Sequence, residues 1–216
     1  MVIANSSRPA GRNVRQAAQH AATRTRLIRS GIEVIARKGF GDAVVADILS
    51  EARISRATFY AHFDSLMSLV EAAADDFAPV WQPVFAKLAT MLDADLANLR
   101  TWCADMVATY RQNETICAVL AQAAMLDSGF YWKVAGYQAM LIDLLADGHP
   151  RLAHLKQDEA ARVRAALALT QLDQACYFLA VRRWADDPGA GIEAMAAQLH
   201  FFLASEMDRS SDRAGG

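Results

Sequence analysis

Apolar residues recur at three- and four-residue spacing along almost the whole chain, the signature of helices with one buried face. Leu27, Ile28, Gly31, Ile32 and Ile35 set that rhythm for a first helix over about 22–38, which Gly39 ends. A short helix is predicted over about 44–51, with Val45, Ile48 and Leu49 inward. A break over 52–54 follows. Ser55 stands where an N-cap should stand, opening a third short helix over 56–63. Phe59 and Phe63, four residues apart, form the buried side of that helix. Asp64 is placed to cap a fourth, interrupted around Pro79 and Pro83. Further helices are predicted over 95–112, 114–125, 128–146, 157–185 and 191–207. No stretch alternates as a strand does, and no internal repeat is present. The expected fold class is all-α, with about nine helices. A mobile basic arm (1–21) precedes a three-helix helix-turn-helix domain (22–69). A larger helical domain (70–208) and a disordered tail (209–216) complete the chain.

Composition strengthens this picture. Of 216 residues, 54% are hydrophobic, while glycine (11) and proline (5) are scarce. That balance favours helix and supports a sizeable core. Charge adds something new. Met1 to Phe63 carries ten Lys/Arg against four Asp/Glu, a net of +6, whereas the remainder carries 12 against 20, a net of −8. Only the front of the molecule is suited to a polyanion. Three widely spaced cysteines, Cys103, Cys117 and Cys176, make neither a disulfide framework nor a zinc site and are expected as buried free thiols. Arginines occupy the N-terminus where a signal peptide needs an apolar core, and no apolar run reaches membrane-spanning length. A cytoplasmic protein without membrane attachment is expected.

The stretch from Gly39 to Phe63, GFGDAVVADILSEARISRATFYAHF, carries the chemistry. A helix that reads DNA must offer a short, sparsely branched face with donors and apolar spots. Arg56, Ala57, Thr58, Tyr60 and Ala61 leave such a face once Phe59 and Phe63 point inward. Arg56 can donate two hydrogen bonds to a guanine edge, and Ala57 and the Thr58 methyl can meet a thymine methyl. Ser55 and the helix N-terminus can hold a phosphate.

Arg24, Gly39-Phe40, Asp47-Ile48, Ala52, the run Ile54 to Tyr60 and His62-Phe63 together resemble the TetR family of bacterial transcriptional regulators. The resemblance implies that Tyr60 and His62 touch backbone phosphates and that Arg24 is a phosphate clamp. It also implies double-stranded DNA as partner and a homodimer on a palindromic site. Four positions depart from the family pattern, one of them Leu49, which stands where the second helix usually has a small residue. Arg53 replaces the turn glycine. It costs about 1 kcal/mol more than glycine if φ is positive, and it adds a cation beside the phosphates. Ala43 replaces the threonine that opens the second helix, and Asp42 before it is placed to cap that helix. Leu66 replaces the lysine that follows the reading helix. With two phosphate contacts gone, a shallow salt dependence is expected.

Aromatic and thioether side chains crowd the middle helices: Trp81, Phe85, Trp102, Met106, Tyr110, Met125, Phe130, Trp132, Tyr137 and Tyr177. With Asp173 as a polar anchor, they are the candidate lining of an apolar cavity for a small-molecule effector. Around residues 172–178 the pattern loosely resembles the ethionamide-resistance-type branch of the family. Two apolar stripes mark the last helices, one with Leu167, Thr170, Gln174 and Val181, the other with Ile192, Met195, Leu199 and Phe202. In the family the equivalent helices pair two copies, so these are the candidate dimer residues. The alternative is that the stripes face only the chain's own core. An enzyme is not expected: there is no Gly-rich phosphate loop, no HExxH and no nucleophile elbow, and the five histidines are scattered. No cofactor and no metal are called for.

Overall fold

The computed structural model describes residues 10–91 and 95–214. Among them are ten α-helices and no strand. The first four are α1 (Ala10–Lys38), α2 (Val45–Ala52), α3 (Arg56–Tyr60) and α4 (Leu66–Phe77). Next come α5 (Trp81–Thr90), α6 (Leu96–Gln112), α7 (Glu114–Leu126) and α8 (Ser128–Gly148). The last two are α9 (Glu159–Cys176) and α10 (Gly189–Ala214). Short 3₁₀ segments cover Ala78–Val80 and Pro150–Lys156, and a π-helical turn covers Tyr177–Val181. The chain divides into two compact units after Ala73, within α4.

Both ends of the regular structure reach beyond the expected limits. Residues 10–21, expected as a mobile arm, form the first turns of α1. Ala17, Ala18, Ala21 and Ala22, spaced by Arg and Gln, are strong helix formers. Lengthening an existing helix adds a hydrogen bond per residue without a new nucleus. The same reasoning carries α10 through to Ala214, across most of the expected disordered tail. The remainder of the arm (1–9) and of the tail (215–216) lies outside the described residues. The predicted helix over 157–185 is shorter than expected: α9 ends at Cys176 and passes into the π turn.

In the first unit, Leu27, Val34, Ile35, Ile48, Phe59, Leu69 and Val70 are fully buried. Gly31 permits the close approach of α4: a Cβ there would stand 2.6 Å from a Leu69 methyl. Gly39, at φ 88°, ends α1 and donates its N–H to Ile35 at 2.8 Å. Two ion pairs join α1 to α2, Arg37–Glu51 at 2.8 Å and Lys38–Asp47 at 2.6 Å. Two caps differ from expectation. The N-terminus of α2 is closed by Asp47, which accepts from the Val44 N–H, while Asp42 is exposed. The cap of α4 is Ser65, not Asp64: Ser65 Oγ accepts from Ser68 N, and Ser68 Oγ accepts from Ser65 N, both at 3.0 Å. A hydroxyl at both positions satisfies two orphan donors reciprocally, which a lone aspartate one residue earlier cannot do.

The second unit is organised around Trp102, Leu88, Ile142, Leu145 and Leu169. Its aspartate caps follow one rule: Asp95, Asp127 and Asp158 each accept from the backbone N–H three residues on. Pro83 falls in the first turn of α5, where a missing N–H costs nothing. One charged cluster is buried. Glu206, 1% exposed, accepts from both Arg164 Nε (2.5 Å) and Arg164 Nη2 (3.0 Å), and lies 3.0 Å from His154 Nε2. Burial acts to raise the Glu206 carboxyl, but hydrogen bonds from Arg164 and His154 outweigh it and hold the group below its ordinary value. Among the described residues no helix is long and apolar enough to cross a membrane.

Candidate nucleic-acid interface

The connection between α2 and α3 decides what α3 shows to solvent. Arg53 adopts the left-handed conformation (φ 51°, ψ 50°), and Ile54 N donates back to Leu49 O at 3.1 Å. The positive φ expected at this position is therefore present, with an arginine bearing the strain. Arg53→Gly is expected to stabilise the first unit by up to about 1 kcal/mol in a thermal melt. A lower melting point would show that the arginine side chain contributes more than the backbone loses.

Beyond the turn, Ser55 caps α3. Its Oγ accepts from Thr58 N at 3.1 Å and lies 2.8 Å from Thr58 Oγ1. Both hydroxyls are thus committed to the helix start, and Thr58 is half-buried. Phe59, fully buried, anchors the helix, with Phe63 (centroids 5.9 Å) and an edge contact to Tyr60 (5.3 Å). Arg56, Ala57, Tyr60 and Ala61 remain exposed. The Arg56 guanidinium lies over the Tyr60 ring at 5.8 Å, as i,i+4 neighbours do on one helical face. A forked donor, an aromatic hydroxyl and a methyl spot therefore share one short exposed surface.

Arg24 and His62 stand beside this surface. His62 is half-buried, and its Nδ1 is buried with no hydrogen-bond partner. Its ring lies 4.0 Å from that of His20. Burial, then the charges of His20 and Arg24, push His62 below the usual imidazole value. By its place in the sequence, His20 falls within the expected arm (1–21). The signal for it was present, because His20 and Arg24 are four residues apart and share a face once α1 is extended.

In the second unit the aromatic residues separate into two groups. Trp81, Phe85, Trp102, Met106, Tyr110 and Asp173 come together. Trp102 Nε1 donates to Val84 O at 2.8 Å and meets Phe85 edge-on at 5.6 Å. Trp81 packs on Tyr110 at 4.9 Å, and Tyr110 Oη donates to Asp173. Burial raises the Asp173 carboxyl above its ordinary value, although bonds from Tyr110 and Gln174 act the other way. Cys103, Cys117 and Cys176 are buried free thiols, and burial pushes Cys103 and Cys117 up to about 12.

The other group lies elsewhere. Met125 (88% exposed) and Trp132 (71%) face solvent, which corrects their expected place in a cavity wall. They bracket the α7–α8 turn, where a side chain at helical spacing has no opposing helix to meet. Phe130 is fully buried, Tyr177 is half-buried, and Tyr137 donates to Asp75 at 2.5 Å. The two best-formed hollows among the described residues are open surface grooves. Neither is lined by the aromatic cluster.

One of these grooves, about 360 Å³, runs between α9 and α10. Leu167, Leu199, Phe201 and Phe202 contribute to it, with Arg164 and Arg209 at its edge. Of the candidate dimer residues, Leu167, Thr170 and Gln174 are exposed, while Val181, Ile192 and Phe202 are half-buried. Met195 and Leu199, each 2% exposed, belong to the chain's own core, a correction to their expected role. They lie on the side of α10 that packs on α6 and α9, whereas Phe201 (75% exposed), absent from the sequence reading, points outward.

Comparison with known proteins agrees with this geometry. Residues 27–73 match the sequence profile of bacterial regulatory proteins of the tetR family. No curated protein matches the chain. Its fold is similar to the solved structure of a TetR-family transcriptional regulator from Syntrophomonas wolfei str. Goettingen (TM-score 0.64, 15% identity). That match covers 86% of this chain and 96% of the other. Another, from Mesorhizobium loti MAFF303099, has TM-score 0.54 and 14% identity over 86% and 97% of the two chains. A third, from Pectobacterium atrosepticum, has TM-score 0.50 and 19% identity over 86% and 94%. The capped reading helix and its phenylalanine anchor lie inside the residues that match the tetR-family profile, and the fold of the chain is similar to that of TetR-family transcriptional regulators.

Proposed function

We propose that this regulator is a homodimeric repressor that reads a palindromic operator and leaves it when a small apolar or amphipathic effector binds its C-terminal unit. The observation that carries the DNA half is the shared face of Arg56 and Tyr60 on a helix held from beneath by Phe59. A twofold pair presents that face twice, one or more DNA turns apart, so the two half-sites mirror each other. The exposed apolar strip of Leu167 and Phe201 supports pairing through α9 and α10. Effector control needs only that the effector prefer the dimer state whose reading helices no longer match the groove spacing.

One observation favours a second reading, a regulator or activator that needs no effector. Trp102, Phe85 and Met106 pack into a filled core, and an effector would have to open it. Titrating apolar compounds against the protein–operator complex separates the two: release favours the repressor, and unchanged affinity across all compounds favours the second.

The DNA reading is tested by selecting duplexes from a random library with the wild type and with Arg56→Ala. Wild type should return a palindrome. The variant should lose base preference at one position of each half-site, at a cost of about 1–3 kcal/mol. Arg24→Ala should weaken all sequences alike. Identical preferences for wild type and Arg56→Ala would remove Arg56 from base reading.

A further inference from the structure

Gly136 stands in the middle of α8, where a glycine weakens a helix. Gly31, Gly148 and Gly191 each occupy a place where a Cβ would strike a neighbouring element, at 2.6, 2.3 and 2.7 Å. A Cβ on Gly136 would meet nothing within 4 Å, so packing within the chain does not call for this glycine. It is exposed, and one turn to either side stand the exposed Trp132 and Met140. Residues four apart share one helical face, so the three form an apolar strip with a notch at its centre. The charges flanking the strip are taken within the chain: Lys133 pairs with Asp75 at 2.8 Å, and Asp143 with Arg162 at 2.6 Å. Met125, Leu126 and Tyr131, exposed around the α7–α8 turn, bring the patch to on the order of 500 Å².

We propose that this face of α8 docks on the same face of a second copy, antiparallel about a twofold axis at Gly136. It is a self-association surface separate from the one on α9 and α10. Three features choose a second copy as the occupant. An axis at Gly136 sets notch against notch, so two α8 backbones approach closely, and it lays each Trp132 beside the partner's Met140, an aromatic–thioether contact. The same register places Asp143 opposite the partner's Gly129, whereas a parallel pair would set Asp143 against Asp143 and Lys133 against Lys133. With Lys133 and Asp143 already paired, the occupant has no charge to match, and the strip itself is a surface of that kind. Finally, a standing dimer takes about 800 Å² from each copy, more than this patch offers. The contact is therefore reversible and forms as concentration rises. At micromolar concentration it does not by itself hold two chains together.

Sedimentation velocity of the full-length protein from about 5 to 500 µM tests this, whatever the assembly at dilution. Wild type should grow reversibly from its dilute mass to at least twice that mass. Trp132→Glu should weaken the growth about tenfold or more, with dilute mass and circular dichroism unchanged. Gly136→Leu separates the notch from the fold. It should raise the melting temperature by about 2 °C, as removal of a mid-helix glycine does, yet weaken association about tenfold. Gly136→Cys, at the axis, should cross-link to itself on mild oxidation of a concentrated sample, since Cys103, Cys117 and Cys176 are buried. Ala86→Cys, exposed on α5, should not. A wild type that keeps its dilute mass throughout overturns the proposal and leaves the strip to a different partner. Unchanged growth in Trp132→Glu or Gly136→Leu overturns this strip as the contact. A lowered melting temperature in Gly136→Leu means that the chain itself needs the glycine, which overturns the argument for the notch. Equal cross-linking of both cysteine variants overturns the axis at Gly136.

Discussion

Leu167→Glu and Phe201→Glu introduced together should leave the protein monomeric and lower its affinity for a palindromic duplex by on the order of a thousandfold. These side chains are 61% and 75% exposed, so neither substitution disturbs the interior of the chain. Both lie at the open groove between α9 and α10, which has an apolar floor. Pairing two such faces would bury four introduced carboxylates against apolar surface, a cost well above the stability of a typical interface of that kind. Without the pair, each reading helix meets its half-site alone and the second contact is no longer linked to the first. Sedimentation velocity reports the assembly, and fluorescence anisotropy reports the affinity. A double variant that remains dimeric and binds as wild type would place the pairing surface elsewhere.

Trp102→Ala should cost the second unit about 3–5 kcal/mol, the range for removing a large buried aromatic. Trp102 is fully buried, and its ring closes the space between Phe85 and the neighbouring helices. Truncation also leaves the Val84 carbonyl without the donor it now has at 2.8 Å. Trp102→Phe keeps much of the apolar contact but loses that bond and part of the ring volume, so it should cost about 1–3 kcal/mol. Denaturant unfolding followed by far-ultraviolet circular dichroism measures both. The alanine variant is also informative about effector control, because it creates the cavity that the wild-type core fills. A loss below about 1 kcal/mol for Trp102→Ala would mean that the aromatic cluster is loosely packed. That result would favour an effector site there over a filled core.

Much of the reading unit was legible without coordinates, for a physical reason. Ser55 capping Thr58, Phe59 beneath Tyr60 and the turn at Arg53 are all interactions between residues at most six apart. Local spacing specifies them, and the resemblance carried by residues 39–63 added the phosphate-contacting roles. The misplaced caps at Asp42 and Asp64 were local as well. Asp64 failed because aspartate and serine are nearly equivalent as N-caps, so composition does not choose between neighbours, and Asp42 failed because the N-cap of α2 is Val44, whose N–H is met by Asp47 from within the helix.

The second unit shows where such reasoning stops. Helical periodicity identifies a stripe of apolar residues but not what stands opposite it. Met195 and Leu199 share a stripe with Phe202, and only the packing of α10 on α6 and α9 turns the first two inward. Met125 and Trp132 read as core by residue type, yet no helix covers the turn they flank. His20 meets His62, 42 positions away, only because α1 continues far enough to bring the two rings together. The amino-acid sequence by itself therefore determined the all-helical class, the capped reading helix and the basic front of the chain, because these depend on propensity, short-range spacing and charge. The tertiary structure alone decided which apolar faces are closed and which lie open, and which imidazoles meet, because burial is a property of two surfaces and the chain writes down only one at a time.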